Sequence, residues 1–258
     1  MQTSLIISTY NWPLALEACL ASLQHQTTNE FEIIVADDGS SDETRRLVEH
    51  YQSLVPNLIH SWQDDDGYRL SRSRNLAFTK SSGNELIFLD GDCICPPHFI
   101  ANHQKLSDKG WITAGNRKLL SADQTANWLK SPSEFTNQFQ KNNNSLKLKS
   151  IPLGFLRGTQ KNNYLKVRGC NIGIQREDFE KLGGFDESYQ GWGKEDTDFA
   201  LRGINAGFNI RLGQFSTTVL HLHHNEASRD DLEENLKRLE DLKESKRIKP
   251  LKSLLIEN

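Results

Sequence analysis

The sequence predicts an α/β fold, a mostly parallel central sheet flanked by helices. Three observations lead there. Over residues 1–115, short apolar runs alternate with amphipathic stretches, the rhythm of successive βαβ units. Two apolar runs, 31–36 and 85–89, pass directly into acidic turns, Asp37-Asp38-Gly39-Ser40 and Asp90-Gly91-Asp92. The chain has 258 residues, 36% of them hydrophobic, enough for one generous globular unit or two small ones sharing a core.

Residues 4–8 read as the first strand. Pro13 then stands where a helix can begin without losing a needed N–H, and Leu16, Leu20 and Leu23 mark one face of that helix. Residues 31–36 form the second strand. Ser40 and Glu43 have the spacing of a capping box and open the next helix. The chain turns polar around Trp62, is helical over 70–80, and returns as a buried strand over 85–89. Pro96-Pro97 begins a short helix and 111–115 is a further strand. Residues 121–166 are rich in Asn, Gln, Lys and Ser and read as a long loop with one helix, a lid or binding segment. Order returns with a strand over 167–174, a helix over 176–182 stopped by Gly183-Gly184, and a helix opened by Gly191-Trp192-Gly193-Lys194-Glu195-Asp196 and ended by Gly207. Strands over 208–212 and 217–222 lead into His221-Leu222-His223-His224, and a charged helix runs from about Asp230. The expected organisation is a nucleotide-type half (1–115), an acceptor-binding and catalytic half of the same domain (116–224) and a charged helical tail (225–258).

The balance of charges narrows the partners. Thirty-one basic against 34 acidic residues leave a formal charge of -3, so no global positive field exists to hold a nucleic acid. No apolar run approaches the ~20 residues needed to span a bilayer, and the first ten residues lack the basic start of a secretory signal. A cytoplasmic protein is expected. Cys19, Cys93, Cys95 and Cys170 read as buried free thiols; a zinc site drawing on Cys93, Cys95 and the histidines is not required by the spacing.

Asp90-Gly91-Asp92 lies at the C-terminal end of a buried strand, where open α/β sheets bind ligands. Hard divalent ions such as Mg²⁺ or Mn²⁺ take one or two carboxylates and complete their shell with substrate phosphates. The competing reading is a polar turn. Ser8-Thr9-Tyr10-Asn11 and Asp37-Asp38 would line the same sheet edge, with Tyr10 as a stacking ring and Asp38 as acceptor for a base N–H, or as support for its own turn. Of Arg69, Arg72 and Arg74, Arg69 is the candidate to reach a diphosphate, and Arg74 a structural partner of Asn75 or of a strand-end acid. Trp192 between two glycines can present its face to a sugar. Asp196 falls in line with Phe199, Ala200 and Gly203 on the inward face of its helix, a candidate general base raised by desolvation. Asp198 pairs with Arg202 at i+4, and Glu195 is open between acceptor binding and capping. Strand alternation puts His221 and His223 on one face and His224 on the other; His221 is preferred as a metal ligand beside Asp92, with the other two open.

The ordered set Ser8-Thr9-Tyr10-Asn11, Asp37-Asp38-Gly39-Ser40, Arg74-Asn75, Asp90-Gly91-Asp92, Gly169-Cys170-Asn171, Gly183-Gly184-Phe185-Asp186 and Gly191-Trp192-Gly193 with Glu195-Asp196 resembles family 2 glycosyltransferases of the GT-A fold. Gly67-Tyr68-Arg69 and the Gly191–Asp196 segment are similar to bacterial chondroitin polymerase domains and to the C-terminal part of β-1,4-galactosyltransferases. The resemblance covers about residues 3–224. It implies a metal-dependent, inverting transfer of a hexose or N-acetylhexosamine from a nucleotide diphosphate sugar, usually a UDP-sugar, to a hydroxyl of a surface glycan or lipooligosaccharide. By the same resemblance Thr9, Tyr10, Asn11 and Asp38 contact the donor nucleoside, Asp90 and Asp92 the diphosphate and Mn²⁺ or Mg²⁺, Trp192 the sugar, Asp196 is the base and His221 the metal histidine. Lys194 departs from the small residue frequent there.

Two rival readings stand beside this one. A nucleotidyltransferase would need a basic glycine-rich loop near the first strand, which 9–13 lacks; a non-catalytic carbohydrate-binding scaffold would not need the acids at 90, 92 and 196. Lys243, Lys246, Arg247, Lys249 and Lys252 followed by Leu254, Leu255 and Ile256 suggest peripheral contact of the tail with an anionic membrane, or a solvated helix end.

Overall fold

The computed structural model describes residues 3–142, 163–214, 216–225 and 228–256. Its strands are β1 (Thr3–Thr9), β2 (Phe31–Asp37), β3 (Leu58–Trp62), β4 (Glu85–Asp90), β5 (Cys93–Ile94), β6 (Trp111–Ala114), β7 (Asn116–Leu119), β8 (Asn171–Gln175), β9 (Asn209–Leu212) and β10 (Thr218–His221). Its helices are α1 (Pro13–Leu23), α2 (Asp42–Leu54), α3 (Leu70–Thr79), α4 (Phe99–Leu106), α5 (Ala122–Leu129), α6 (Pro132–Asn142), α7 (Arg176–Leu182), α8 (Glu195–Asn205) and α9 (Leu232–Ser245).

Seven strands form the central sheet in the order β3-β2-β1-β4-β8-β6-β9. Strands β3, β2, β1 and β4 run parallel, and only β8 is antiparallel to its neighbours β4 and β6. Alternation along β1 sends Leu5 and Ile7 to one face and Ile6 to the other, and each face has its own core. Leu16, Leu20, Val48, Phe99 and Ile100 cover the first face; Phe78, Phe179, Phe185 and Phe199 cover the second. A small sheet, β5-β10-β7, stands beside the end of β4. The seven-stranded, mostly parallel sheet between two helical layers is the α/β architecture expected from the sequence.

Several elements differ from the sequence reading. β3 pairs in parallel with β2 where only a polar stretch was expected: Leu58 and Ser61 are buried, and the polar His60 is taken up by Asp37 Oδ2 at 2.9 Å. The capping box at Ser40 does not form. Ser40 Oγ instead accepts the Asn11 N–H at 2.9 Å, and α2 starts one residue later behind Ser41. Within 121–166, residues 122–142 are two helices rather than loop. Ser121 and Gln124 cap α5 reciprocally, a signal present in the sequence, and Pro132 opens α6. The rest of the expected lid, 143–162, lies outside the described residues. The strand placed at 167–174 begins only at Asn171, since Asn171 N–H bonds back to the Arg168 carbonyl and closes a turn over Gly169 and Cys170. All four cysteines are buried thiols, as expected.

After α9 the chain is no longer helical and runs along the second core face. The Leu251 N–H donates to Asp186 Oδ2 (2.7 Å), the Leu254 N–H to Glu187 Oε1 (2.8 Å), and Asn75 Nδ2 to Ser253 Oγ (3.2 Å). Leu255 packs on the same core. Gly184, at φ 76°, needs the left-handed region, and a Cβ there would lie 2.6 Å from Asn75 Oδ1 and 2.7 Å from Leu255. No helix among the described residues is long and apolar enough to cross a membrane.

Candidate active site

The ends of β1, β2 and β4 meet at one sheet edge, as their parallel register requires: Ser8 is opposite both Ala36 and Asp90. Thr9 is nearly buried, and Tyr10 projects, 49% exposed, with its hydroxyl donating to Asp65 Oδ2 at 3.0 Å. Asn11 adopts φ 47° and locks the turn, its Oδ1 accepting the Ser41 N–H at 2.9 Å. Asp38 is buried and accepts Gln63 Nε2 (2.6 Å) and the Arg69 N–H (2.7 Å); burial raises its pKa against those two donors. Gly39 sits so close to Asp65 that a Cβ would come within 2.5 Å of its Cα. Both functional readings of Asp38 therefore hold a place: it already fixes the loop at 63–69, and it lies at the edge where a ligand would dock.

The arginine beside the strand-end acids is Arg74. Arg69 turns away, its guanidinium donating to the Asp64 carbonyl and pairing with Asp66 at 3.3 Å. Arg74 is fully buried on α3. Its Nε donates to Ser8 Oγ (3.1 Å), and Nη2 to both Asp90 Oδ1 and the Gly169 carbonyl (2.9 Å each). Nη1 lies 3.7 Å from Glu195 Oε1 and is otherwise without a hydrogen-bond partner. Across the same turn, the Gly169 N–H donates to Asp196 Oδ2 at 2.8 Å. One guanidinium and one peptide unit thus connect the acidic turn after β4 to the Glu195-Asp196 pair at the start of α8. A Cβ at 169 would press to 3.2 Å on both Arg74 and Glu195, which explains the glycine. The sequence reading of Arg74 as partner of a strand-end acid is met by Asp90; its second hold on Gly169, and the link from Gly169 to Asp196, were missed.

At α8 the two acids differ. Asp196 Oδ1 accepts the Thr197 hydroxyl at 3.0 Å, which with Gly169 fixes the carboxylate in place. At Glu195, burial first, then the charge of Asp196, push the carboxyl up to about 7, opposed by Arg74. Asp198 is the buried partner of Arg202 (2.6 Å), which also donates to the Leu182 and Gly184 carbonyls, so its pairing is internal rather than at a solvated helix end. Trp192 is 37% exposed with the Arg229 guanidinium 5.3 Å over its ring. Tyr68, also missed, is 41% exposed, and its backbone carbonyl accepts the Gly191 N–H at 3.2 Å beside Trp192.

The histidine alternation fails because β10 ends at His221. His224 folds back, and it is His221 and His224 that reach Asp92, at 3.5 Å to Oδ1 and 3.3 Å to Oδ2. His223 is exposed, its N–H donating to Thr125 Oγ1. Burial and the charge of Asp90 raise the Asp92 carboxyl to about 7, opposed by His224. Carboxylate and imidazole groups converging in this way fit a divalent cation, and Cys93 Sγ lies within the same 4.8 Å group as Asp92 and His221.

Comparison with known proteins agrees with this architecture. The family description "Glycosyl transferase family 2" matches residues 4–182, and "N-terminal domain of galactosyltransferase" matches 157–225. The chain is 27% identical to a chondroitin synthase of Escherichia coli over 237 residues, 81% of this chain and 33% of that protein. It is 30% identical to the chondroitin synthase of Pasteurella multocida over 227 residues, 81% of this chain and 23% of that protein. It therefore spans about a third or less of these relatives. Among solved structures, S. aureus TarS superposes with TM-score 0.64 at 18% identity, over 94% of this chain and 39% of that one. A Pyrobaculum calidifontis mannosyltransferase in complex with GDP-Man and Mn²⁺ superposes with TM-score 0.58 at 18% identity, over 85% of this chain and 56% of that one. With the family match extending over more than half its length, and with the strand-end acids of β4 joined through Arg74 and Gly169 to the acids of α8, the chain belongs to glycosyltransferase family 2 and has the GT-A fold.

Proposed function

We propose that the chain transfers a hexose or N-acetylhexosamine, with inversion, from a UDP-sugar to a hydroxyl of a surface glycan or lipooligosaccharide. The observation that supports this reading is the short connection from Asp90, the candidate for the diphosphate side, through Arg74 and Gly169 to Glu195 and the base candidate Asp196. The relatives named for chondroitin synthesis and the TarS structure in complex with UDP support the donor class. Tyr10, Thr9, Asn11 and Asp38 would hold the nucleoside, Arg69 its approach loop, Asp90 the diphosphate side and Trp192 the sugar. The division into a donor half (1–115) and an acceptor half (116–224) follows the same assignment.

Asp196, oriented by the Gly169 N–H and the Thr197 hydroxyl, takes the proton of the attacking acceptor hydroxyl. Glu195, with its raised carboxyl against Arg74, hydrogen-bonds that hydroxyl or its neighbour on the acceptor. Asp92 with His221 and His224 would hold Mn²⁺ or Mg²⁺, which supplies compensation for the charge that develops on the leaving diphosphate. Peripheral membrane contact is read from exposed Ile248, Leu251 and Leu254 beside Lys246 and Lys252, although Arg247 of the same run is committed to Asp186 and Asp198.

The test is a panel of UDP-sugars with Mn²⁺ or Mg²⁺, scored by UDP release and by product mass. Asp196→Asn is expected to lower turnover by about 10²- to 10⁴-fold while calorimetric UDP affinity is retained. Turnover at the wild-type rate in that variant would remove Asp196 from the mechanism.

A further inference from the structure

The cluster around Asp92 holds a charge pattern that the catalytic assignment leaves unused. His221 Nδ1 lies 2.8 Å from the Leu222 carbonyl oxygen, and His224 Nδ1 2.7 Å from the Asn225 carbonyl oxygen. A carbonyl only accepts, so each ring carries a proton on Nδ1, and Nε2 is the atom left to meet a ligand. Both Nε2 atoms face Asp92, at 3.5 and 3.3 Å. A cation set between or beside these atoms would be held by all three.

In the ligand-free chain part of that role falls to Arg117. It stands on β7, which runs parallel to β10 with Arg117 opposite Val219, two residues before His221. Two residues are about 6.6 Å along a strand, within the reach of an arginine side chain. Its Nη1 lies 3.2 Å from His221 Nε2 and 3.7 Å from Cys170 Sγ. Other arginines in this fold have a carboxylate: Arg74 has Asp90, Arg202 has Asp198, Arg211 has Asp108 and Arg72 has Glu187. Arg117 has no ion pair among the described residues, so a half-buried guanidinium sits at the rim of the donor site with its charge unmatched by protein.

A lone pair can be used once. A divalent ion that takes His221 Nε2 must displace the Arg117 N–H from it, and like charge reinforces that exclusion. The released guanidinium then stands beside the place where a metal-bound diphosphate would lie, and its planar fork matches phosphate oxygens in a bidentate manner. We propose that Arg117 is a diphosphate-binding residue of the donor site, held on His221 in the free chain and transferred to a phosphate oxygen when the metal nucleotide enters. This rests on the reading of the site as one for a metal-bound nucleotide sugar.

The proposal makes two affinities move in opposite directions, which a merely structural role would not do. In Arg117→Gln, Mn²⁺ alone, measured by the electron paramagnetic resonance signal of the free ion, is expected to bind about threefold to tenfold more tightly, because its competitor is gone. UDP at saturating Mn²⁺, measured by calorimetry, is expected to bind about tenfold more weakly. Arg117→Lys keeps the charge but not the fork, and is expected to weaken UDP binding while leaving Mn²⁺ affinity near wild type; it carries the test if the Gln variant does not fold. Affinities that shift in the same direction in Arg117→Gln, or UDP affinity unmoved in both variants, would overturn the role of Arg117. A wild-type chain that binds neither Mn²⁺ nor UDP would overturn the donor-site reading itself.

Discussion

Replacing Glu195 by Gln should stabilise the protein at alkaline pH while impairing it as an enzyme. The Glu195 carboxyl is raised from an ordinary 4.5 to about 7, chiefly by burial, and its side chain is only 13% exposed. A raised carboxyl binds its proton more tightly in the folded chain than in the unfolded one. Its contribution to stability is therefore complete below pH 4.5 and is lost as pH rises through 7. At about 1.4 kcal/mol per tenfold change in proton affinity, the displacement is worth about 3 kcal/mol. The glutamine side chain of Glu195→Gln mimics the protonated acid and does not titrate. Urea unfolding of both proteins in EDTA at pH 5 and pH 8 isolates this effect, since Glu85 and Asp92, also raised to about 7, titrate alike in both. The stability of the variant minus that of wild type should be about 1 kcal/mol at pH 5, where the unfolded carboxyl is already largely ionised, and rise to about 3 kcal/mol at pH 8. The same difference at both pH values would refute the argument that burial of Glu195 sets its proton affinity.

Two further outcomes follow from the buried ion pair and the exposed ring. Arg202→Met leaves Asp198 fully buried, with Arg247 at 3.5 Å as its remaining cation, and removes donors from the Leu182 and Gly184 carbonyls; a loss of about 3–5 kcal/mol is expected, seen by circular dichroism as a melting point lowered by roughly 10 °C. Trp192→Ala should raise the KM for the nucleotide sugar about tenfold and leave the Kd for UDP unchanged, because the ring is assigned to the sugar alone; equal weakening of both would reassign it.

Much of the fold was legible because it is periodic. β1, β2 and β4 are nearly continuous apolar runs, as strands covered on both faces must be, and each ends in the polar residues that define the site. Pro13 and Gly183 marked a helix start and a helix stop that the structure keeps. β5 was missed because two residues have no period to detect, and β7 because Asn116–Leu119 carries a single apolar residue. The position of His224 was misread because alternation applies only within a strand, and the strand stops three residues earlier. Arg74 could be named as a partner of a strand-end acid, but its simultaneous hold on Ser8, Asp90 and Gly169 depends on three segments that only the folded chain brings together.

The closure of Ser253 onto Asn75 spans 178 positions of sequence. Asn75 is the neighbour of Arg74, so the wall behind the site is finished by a segment synthesised long after it. During vectorial synthesis the first three strands can pair early, yet the amide of Asn75 waits for its hydroxyl partner until residues near 253 have left the ribosome. Catalytic competence should therefore appear late and all at once in a translation time course, well after the nucleotide half has become resistant to protease.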